Sequence, residues 1–355
     1  MTAAIRLRQV WSVARLEARR AFFSKRALWV YLLALFPTAL FFGHGVSVKI
    51  MRDRYTARGI TPAALLDSVQ QEEAEQQVLA RLGKPNSDFA WERRGRKPAV
   101  MRRLEYFDGT RAATFVFRNG TLDAKRVRSI ANLEEDRLIF ATVFQQFYLR
   151  LAVFFGCLGI FLNLFRGKMM DKTLHFWLLA PVRREVLLCG NYLAGLLAAS
   201  LIFTAGAMLS FFFMLWPQQP AELQAFWQQQ GMPHALSYAA ATVLACVGYG
   251  SVFLAAGLLV KNPILPATVL LTWEGINPFL PSWLQKISVL YYVQAMCPVP
   301  APTDPGMPAL LRFFPSPAAP PSKALAVGGL LLLTAVVLWV ASRAVQKLEI
   351  NYSTD

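Results

Sequence analysis

Long apolar runs, interrupted by short polar segments, make up most of the chain. Runs of this kind predict membrane spans of about 20 residues, here at 27–48, within 138–165, within 186–216, at 235–260 and at 324–341. A further hydrophobic segment over 264–292 is interrupted by Glu274, Pro278 and Pro281, and we expect it to turn and continue as a re-entrant or interfacial stretch. The pattern predicts an all-α polytopic membrane protein with six transmembrane helices, the second to sixth of them lying in residues 138–355.

Residues 49–137, between the first two spans, have a different composition. They carry 18 Lys or Arg and 13 acids and contain no long apolar run. A helix is predicted over 62–83, with Thr61 as its N-cap and Gly83 as its stop. About 90 residues are near the lower end of the size that folds independently. We therefore expect a small α/β extracytoplasmic insertion between helices 1 and 2.

Two turn signals follow the predicted helix of this insertion. Asp108-Gly109 lies between alternating apolar residues and predicts a β-hairpin, and Asn119-Gly120 predicts a second turn. From Asp123 onward we expect helix to resume and to lead into the second span.

The first 26 residues carry seven Lys or Arg and a single acid, Glu17. Val10, Val13 and Ala14 recur at near-helical spacing between the basic residues. This pattern predicts a cytoplasmic amphipathic helix lying in the membrane interface over 1–26. A charged flank of the first span is the alternative interpretation.

Composition and charge then exclude several classes of protein. The chain is 55% apolar and 16% charged, whereas an average soluble chain has about 25% charged residues. A soluble enzyme, a coiled coil and a disordered chain are therefore excluded. The net charge is +16, and most of the Lys and Arg lie in the N-terminal arm and in the insertion. A basic flank next to a membrane span more often reports orientation and contact with anionic headgroups than binding of DNA. Because no nucleic-acid reader motif accompanies the charge, we expect the lipid bilayer and no nucleic acid as a partner.

The distribution of Lys and Arg predicts the topology. They are frequent in the N-terminal arm and in the loop 166–185, and they are absent from the loop 217–234. Both termini are therefore expected to be cytoplasmic, and the Pro-rich loop 298–321 external. The basic insertion is also placed outside, since long domains translocate largely regardless of charge. We expect a multi-pass cell-membrane protein, lying in the inner membrane if the source is bacterial.

Motifs for enzymatic chemistry are absent from the sequence. There is no GxxxxGK[ST], no metal signature and no CxxC pair, so we expect no nucleotide, metal or cofactor bound directly. Two ionisable residues in the predicted membrane region, Arg150 and Glu274, are candidates for a polar pathway. Their alternative interpretations are a snorkelling arginine and an interfacial glutamate.

The cytoplasmic loop 166–185 predicts a short amphipathic helix. Asp171 or Thr173 can cap this helix, Leu174 and Leu178 share one face, and Pro181 ends it. A short helix joined rigidly to two spans can act as a lever, because a force on it tilts both. The alternative is an ordinary interfacial loop helix.

This loop resembles that of the permease subunits of ABC exporters of the ABC-2 type. The family pattern, acidic-x-Thr-Leu-x-x-Leu-Leu-x-x-Pro-x-x-Arg followed by Gly-Lys-x-Leu-Ala, falls on Asp171, Thr173, Leu174, Leu178, Leu179, Pro181, Arg183, Arg184, Gly190, Leu193 and Ala194. The chain departs from it at Asp171, where glutamate is usual, at Asn191, where lysine is usual, and in the spacing before Pro181, which is one residue short. The N-terminal helix, with Arg15, Glu17 and Arg19, is similar to that of the family as well.

The resemblance implies a division of labour. A separate cytosolic ABC ATPase subunit would use ATP, while this chain and a second permease subunit, identical or not, would enclose a pathway for export of a hydrophobic or amphipathic substrate. The residues that the resemblance assigns to ATPase coupling are Arg166, Lys168, Asp171, Lys172, Thr173, Leu174, Trp177, Leu178, Pro181, Arg183 and Arg184, with Arg15, Glu17 and Arg19 from the N-terminal helix.

Two other functions stay open at this point. A polytopic membrane enzyme would need a His/Asp or Ser/Lys pair at membrane depth, and none stands out. A membrane sensor would bind a ligand through the external insertion without transport. A neighbouring gene for a P-loop ATPase would favour the permease, and one for a kinase or regulator would favour the sensor.

Overall fold

The computed structural model describes residues 3–23, 27–93, 98–162, 164, 183–260, 264–300 and 320–346. The chain divides into two compact units. The first, here called the helical unit, comprises Met1–Leu40, Arg137–Phe212 and Phe226–Asp355. The second, the sheet unit, comprises Phe41–Asp136 and Phe213–Ala225.

The described residues include five helical stretches that are long and apolar enough to cross a membrane. These stretches are Leu28–Arg58, Leu133–Leu162, Arg184–Leu215, Pro220–Leu259 and Lys323–Gln346. Each contains one of the predicted spans, so the composition of the chain and the length of its helices both fit a multi-pass membrane protein. The first stretch continues as helix to Arg58, ten residues beyond the predicted end at 48.

The helices of the described residues include the apolar stretches above, the basic N-terminal helix and the short helices of the sheet unit. They are α1 (Ala3–Phe23), α2 (Leu28–Arg58), α3 (Ala63–Asp67), α4 (Glu75–Leu82), α5 (Leu133–Thr142), α6 (Phe154–Leu162), α7 (Arg184–Leu215), α8 (Pro220–Phe226), α9 (Met232–Leu259), α10 (Ile264–Ile276), α11 (Ser282–Gln285), α12 (Val289–Gln294) and α13 (Lys323–Gln346). Two π-helices, Val143–Val153 and Trp227–Gly231, join α5 to α6 and α8 to α9.

The segment after α9 does not form a sixth long helix. It is divided into α10, a 3-10 turn over Asn277–Phe279, α11 and α12. The predicted interruption is therefore confirmed, and its cause is the pair of prolines, which remove backbone donors and fix φ where a helix would have to continue. With 13 residues, α10 is about 20 Å long, which is shorter than a hydrocarbon core of about 30 Å.

Small residues bring the helices of the helical unit close together. A Cβ on Gly206 would lie 2.5 Å from the carbonyl oxygen of Ala34, and Gly195 and Gly250 both face the ring of Phe161. Close approach at glycine is the usual way in which membrane helices gain packing contacts. These glycines therefore serve packing inside one chain.

An antiparallel four-stranded sheet in the order β1-β2-β3-β4 forms the centre of the sheet unit. Its strands are β1 (Ser87–Arg93), β2 (Ala99–Phe107), β3 (Arg111–Arg118) and β4 (Thr121–Ser129). Both predicted turns are confirmed, since each joins two paired strands. At the second turn, Asn119 and Gly120 have φ of 51° and 86°, a left-handed conformation that these two residue types tolerate.

Helices α3 and α4 cover one face of the sheet. The predicted helix over 62–83 is wrong as a single element, because the residues between α3 and α4 pair with the start of β4. Glu72 N donates to Leu122 O, Leu122 N donates to Glu73 O, and Glu72 has a positive φ of 69°. The buried core between helices and sheet consists of Leu66, Val69, Val78, Leu82, Leu104, Tyr106, Ala113, Phe115, Phe117 and Leu122.

Two further expectations for this unit are corrected. Thr61 does not cap a helix with its side chain; its backbone N–H donates to Phe107 O, and α3 begins after Pro62. The residues from Asp123 to Ser129 are strand, because β4 pairs with β3 along its length, and helix resumes at Leu133.

Replacing Leu104 by alanine should destabilise the sheet unit by about 2–5 kcal/mol, because Leu104 is fully buried between the sheet and its helices. Amide hydrogen exchange of β2 and β3 in the full-length protein in detergent measures this effect. Val100→Ala, on an exposed position of the same strand, is the control and should change exchange little. Equal effects of the two variants would contradict the described core.

The turn between β2 and β3 contains a buried carboxylate. Asp108 Oδ1 accepts from the backbone N–H groups of Thr110 (2.8 Å) and Arg111 (2.6 Å), and Arg111 Nε donates to Oδ2 (2.8 Å). Burial acts to raise the pKa of Asp108, but the hydrogen bonds from Arg111 and Thr110 outweigh it, so the pKa lies below the ordinary value of 3.8.

A carboxyl group with a lowered pKa stabilises the fold above its ordinary pKa, and this contribution is lost as the pH falls through the lowered value. We therefore expect Asp108→Asn to lower the melting temperature of the full-length protein at pH 6, with the difference from wild type closing towards pH 3. Thermal unfolding followed by fluorescence measures it. A difference that stays constant between pH 6 and pH 3 would contradict this role of the charge.

Candidate functional site

The N-terminal helix α1 lies against the first turns of α7. Its Val13 and Ala14 are buried, and a Cβ on Gly190 of α7 would lie 2.7 Å from Val13 Cγ1. On other sides of the helix, Leu7 and Trp11 are exposed. The helix therefore combines a face buried on the protein with exposed apolar side chains that lipid or another protein could cover.

The three predicted coupling residues on α1 differ in their surroundings. Glu17 is 2% exposed and forms an ion pair with Arg20 at 3.5 Å, whereas Arg15 and Arg19 are exposed. Glu17 therefore lies on the buried face of α1, and the exposed arginines are available to solvent, headgroups or another protein.

The start of α7 and the end of α13 are joined by hydrogen bonds. Arg184 Nη1 donates to the carbonyl oxygens of Gln346 (2.9 Å) and Val345 (3.4 Å), and Gln346 Nε2 donates to Glu185 Oε1 (2.5 Å). A guanidinium on the last carbonyls of a helix complements the negative end of its dipole. Arg183 is exposed, and its carbonyl oxygen accepts from Val186 N at 2.9 Å.

The remaining predicted coupling residues lie outside the described part of the chain. They are Arg166, Lys168, Asp171, Lys172, Thr173, Leu174, Trp177, Leu178 and Pro181. The Pro-rich loop 298–321 is described only at its two ends.

A polar cluster in the helical unit contains both predicted pathway residues. Arg150 belongs to the π-helix Val143–Val153, and its Nη1 donates to Gln146 Oε1 at 3.4 Å. Its Nη2 lies 3.5 Å from the position of a Cβ on Gly275, and it interacts electrostatically with Glu274. Residues separated by more than 120 positions are thus brought together. π-Helical turns are rare and are frequent at functional sites.

The Glu274 side chain caps the start of α12. Its side chain is buried and accepts from the hydroxyl of Ser288 and from the backbone N–H groups of Val289 (3.1 Å) and Leu290 (3.4 Å). Because the first N–H groups of a helix have no partner within it, the carboxylate satisfies donors at the start of α12.

The cluster also contains a residue that sequence reasoning missed. Tyr249 of α9 is fully buried and interacts electrostatically with Glu274 and Arg150. Its hydroxyl has no hydrogen-bond partner within the described ranges. A tyrosine in an apolar run gives no signal in the sequence, and neither does Ser288, whose role depends on the break between α10 and α12.

The described residues hold no group of three His, Cys, Asp or Glu side chains that could bind a metal ion. All four cysteines are free, and Cys157 and Cys246 are buried. No protein-family model, curated protein or solved structure matches the chain.

Replacing Glu274 by alanine should lower the thermal stability of the protein, since a buried backbone donor left without an acceptor costs about 1–3 kcal/mol. Glu274→Gln should have a smaller effect, because the amide oxygen still accepts a hydrogen bond. Glu222→Ala, at an exposed position of α8, is the matched control. Melting curves in detergent that are equal for Glu274→Ala and Glu222→Ala would contradict the capping role.

Proposed function

We propose that the chain is the permease subunit of an ABC transporter of the ABC-2 type, which forms half of a membrane pathway for export of a hydrophobic or amphipathic substrate. A separate cytosolic ATPase would supply the energy. The observation that carries this proposal is the sequence pattern of residues 171–194, which falls in the chain between two long apolar helices and ends in the first turns of α7, where α1 is packed.

The two ends of the chain support a six-pass arrangement. Val13 of α1 contacts Gly190 near the start of α7, and the end of α13 is bound to Arg184 at that same start. The N-terminal helix and the last helix therefore meet at one end of the helical unit. An even number of passes is needed to return a chain to the side where it began.

In a six-pass arrangement the five long helices supply five passes, and the broken segment α10–α12 supplies the sixth. Its hydrophobic residues continue on both sides of the 3-10 turn, and α12 packs against α9 and α13, since Gly248 faces Val289 and Gly329 faces Tyr292. A broken helix is tolerated in a membrane when the freed backbone groups find partners in the protein, and Glu274 is such a partner.

The arrangement of α1 supports transmission of force from the cytosol. The segment 166–182 leads directly into α7, and α1 braces the first turns of that helix at Gly190. An ATPase that moves this segment would shift α7 and α1 together. Arg183, Arg15 and Arg19 are exposed near this end and are suited to pair with acidic residues of such a partner.

The polar cluster supports a pathway through the helical unit. Ionisable residues in membrane segments usually mark substrate or ion routes, and here Arg150 and Glu274 lie beside the break in the fifth segment. Helices that are interrupted beside a polar site are common in transporters.

We expect Leu178→Asp to abolish association with the ATPase subunit while leaving membrane insertion intact. Leu178 lies on the apolar face of the helix predicted in the loop 166–185, and a charge there opposes burial in a partner. The tagged chain is purified from the membranes of its host, co-purifying proteins are identified by mass spectrometry, and ATP hydrolysis is measured. A P-loop ATPase should accompany wild type, and mutation of its phosphate-binding lysine should remove the hydrolysis.

Two variants serve as controls for this experiment. Leu178→Met keeps the position apolar and should retain the ATPase, and Leu65→Asp introduces the same charge into the sheet unit and should retain it too. Nucleotide hydrolysis by the purified chain alone would overturn the proposal. So would capture of the ATPase that is unchanged in Leu178→Asp.

A further inference from the structure

One side of α2 lines an open groove in the sheet unit. The groove has a volume of about 550 Å³, and its α2 wall repeats at helical spacing: Gly43, Val46, Ser47, Ile50, Met51, Arg54, Tyr55 and Arg58. Ser87 and Glu105 from the sheet complete the lining. A space of this size is within the range of sites that hold small organic ligands.

The groove wall changes from apolar to cationic along the helix. Val46, Ile50 and Met51 form the apolar part, and Ile50 and Met51 are each 46% exposed. Arg54 and Arg58 follow one and two turns later. The stripe therefore has the polarity of an amphiphile, with an apolar length that ends in positive charge.

The positive charge is not neutralised by the one acid in the lining. Glu105 forms an ion pair with Arg103, outside the groove lining, and accepts a hydrogen bond from Tyr55 Oη at 2.9 Å. Arg58 donates to the carbonyl oxygen of Asn86 at 3.0 Å, which leaves its charge uncompensated. Arg54 is exposed and makes no hydrogen bond or ion pair with any described residue.

The position of the groove along α2 matches the boundary of a membrane. About 20 residues of helix span a hydrocarbon core of about 30 Å, and 20 residues counted from Leu28 end at Ser47. Gly43 and Val46 then lie at the edge of the acyl region, and Arg54 and Arg58 lie about 10–16 Å further along the helix axis. The polar region of a bilayer adds about 5–8 Å on each side of the hydrocarbon core, so headgroups lie between the apolar part of the groove and Arg54, and a long arginine side chain can reach back to them.

We propose that this groove binds an anionic membrane lipid, with its phosphate near Arg54 and Arg58 and the upper part of an acyl chain along Val46, Ile50 and Met51. Charge complementarity selects the occupant, since two surplus guanidinium groups favour a headgroup with net negative charge over a zwitterionic one. Lipid binding does not require an ATPase or transport, so it is separable from the proposed function.

Native mass spectrometry of the full-length protein in a neutral detergent tests this proposal, with dioleoyl phosphatidylglycerol and dioleoyl phosphatidylcholine as probes. We expect phosphatidylglycerol to bind more tightly, and Arg54→Gln to weaken its binding roughly fivefold, as for one juxtamembrane cation. Arg126→Gln, at an exposed position of β4, makes the same change in charge and should leave binding unchanged.

A second variant tests the apolar part of the groove. A Cβ on Gly43 meets no atom within 4 Å, so this groove-lining position has space for a side chain to begin, and we expect Gly43→Trp to obstruct the groove and reduce phosphatidylglycerol binding. Equal binding of the two lipids, or equal binding by Arg54→Gln and Arg126→Gln, would overturn the proposal. Displacement of the lipid by millimolar inorganic phosphate would overturn it as well, because the site would then recognise a free anion.

Discussion

The helical unit depends on one constraint: where a buried helix is broken, the freed backbone groups must find hydrogen-bond partners. Pro278 and Pro281 end α10 and expose the donors of the next helix, and an apolar environment offers these donors nothing. Glu274 satisfies two of them and binds Ser288 in addition. The same carboxylate interacts electrostatically with Arg150, so the repair of the backbone and the polar cluster share one residue. Capping the break in this way places an ionisable side chain inside the helical unit.

The other organising feature is the end of the helical unit where α1, the start of α7 and the end of α13 meet. The contacts there are of different kinds: apolar packing at Gly190, and hydrogen bonds from Arg184 to the carbonyls of α13. Together they tie the first and last helices to the segment for which the sequence predicts coupling. A displacement of this segment reaches two helices through α7 without a long chain of intermediate contacts. The direct contact of α7 with both α1 and α13 agrees with the proposal that the chain is driven from the cytosol.

Hydrophobic length and turn chemistry made much of the fold predictable. The five long apolar helices, the break at the two prolines and the two turns that follow β2 and β3 agree with local rules about burial and backbone conformation. Tertiary pairing decided what local rules could not: the residues before α4 pair with β4, and Asp123 lies in a strand because β3 is its neighbour. For the site, Arg150 and Glu274 were predicted as rare charges in apolar segments. Tyr249 and Ser288 were not, since their importance depends on partners far away in the sequence.

The long π-helix Val143–Val153 has a consequence for the cluster that it carries. Its backbone hydrogen bonds skip one residue more than those of an α-helix, so the segment holds more residues per turn than its neighbours α5 and α6. Rewinding it into α-helix would rotate every following side chain about the axis and carry Arg150 away from Glu274. A change of winding can thus separate these two side chains without a hinge. The pitch of this one helix would then determine whether Arg150 and Glu274 interact.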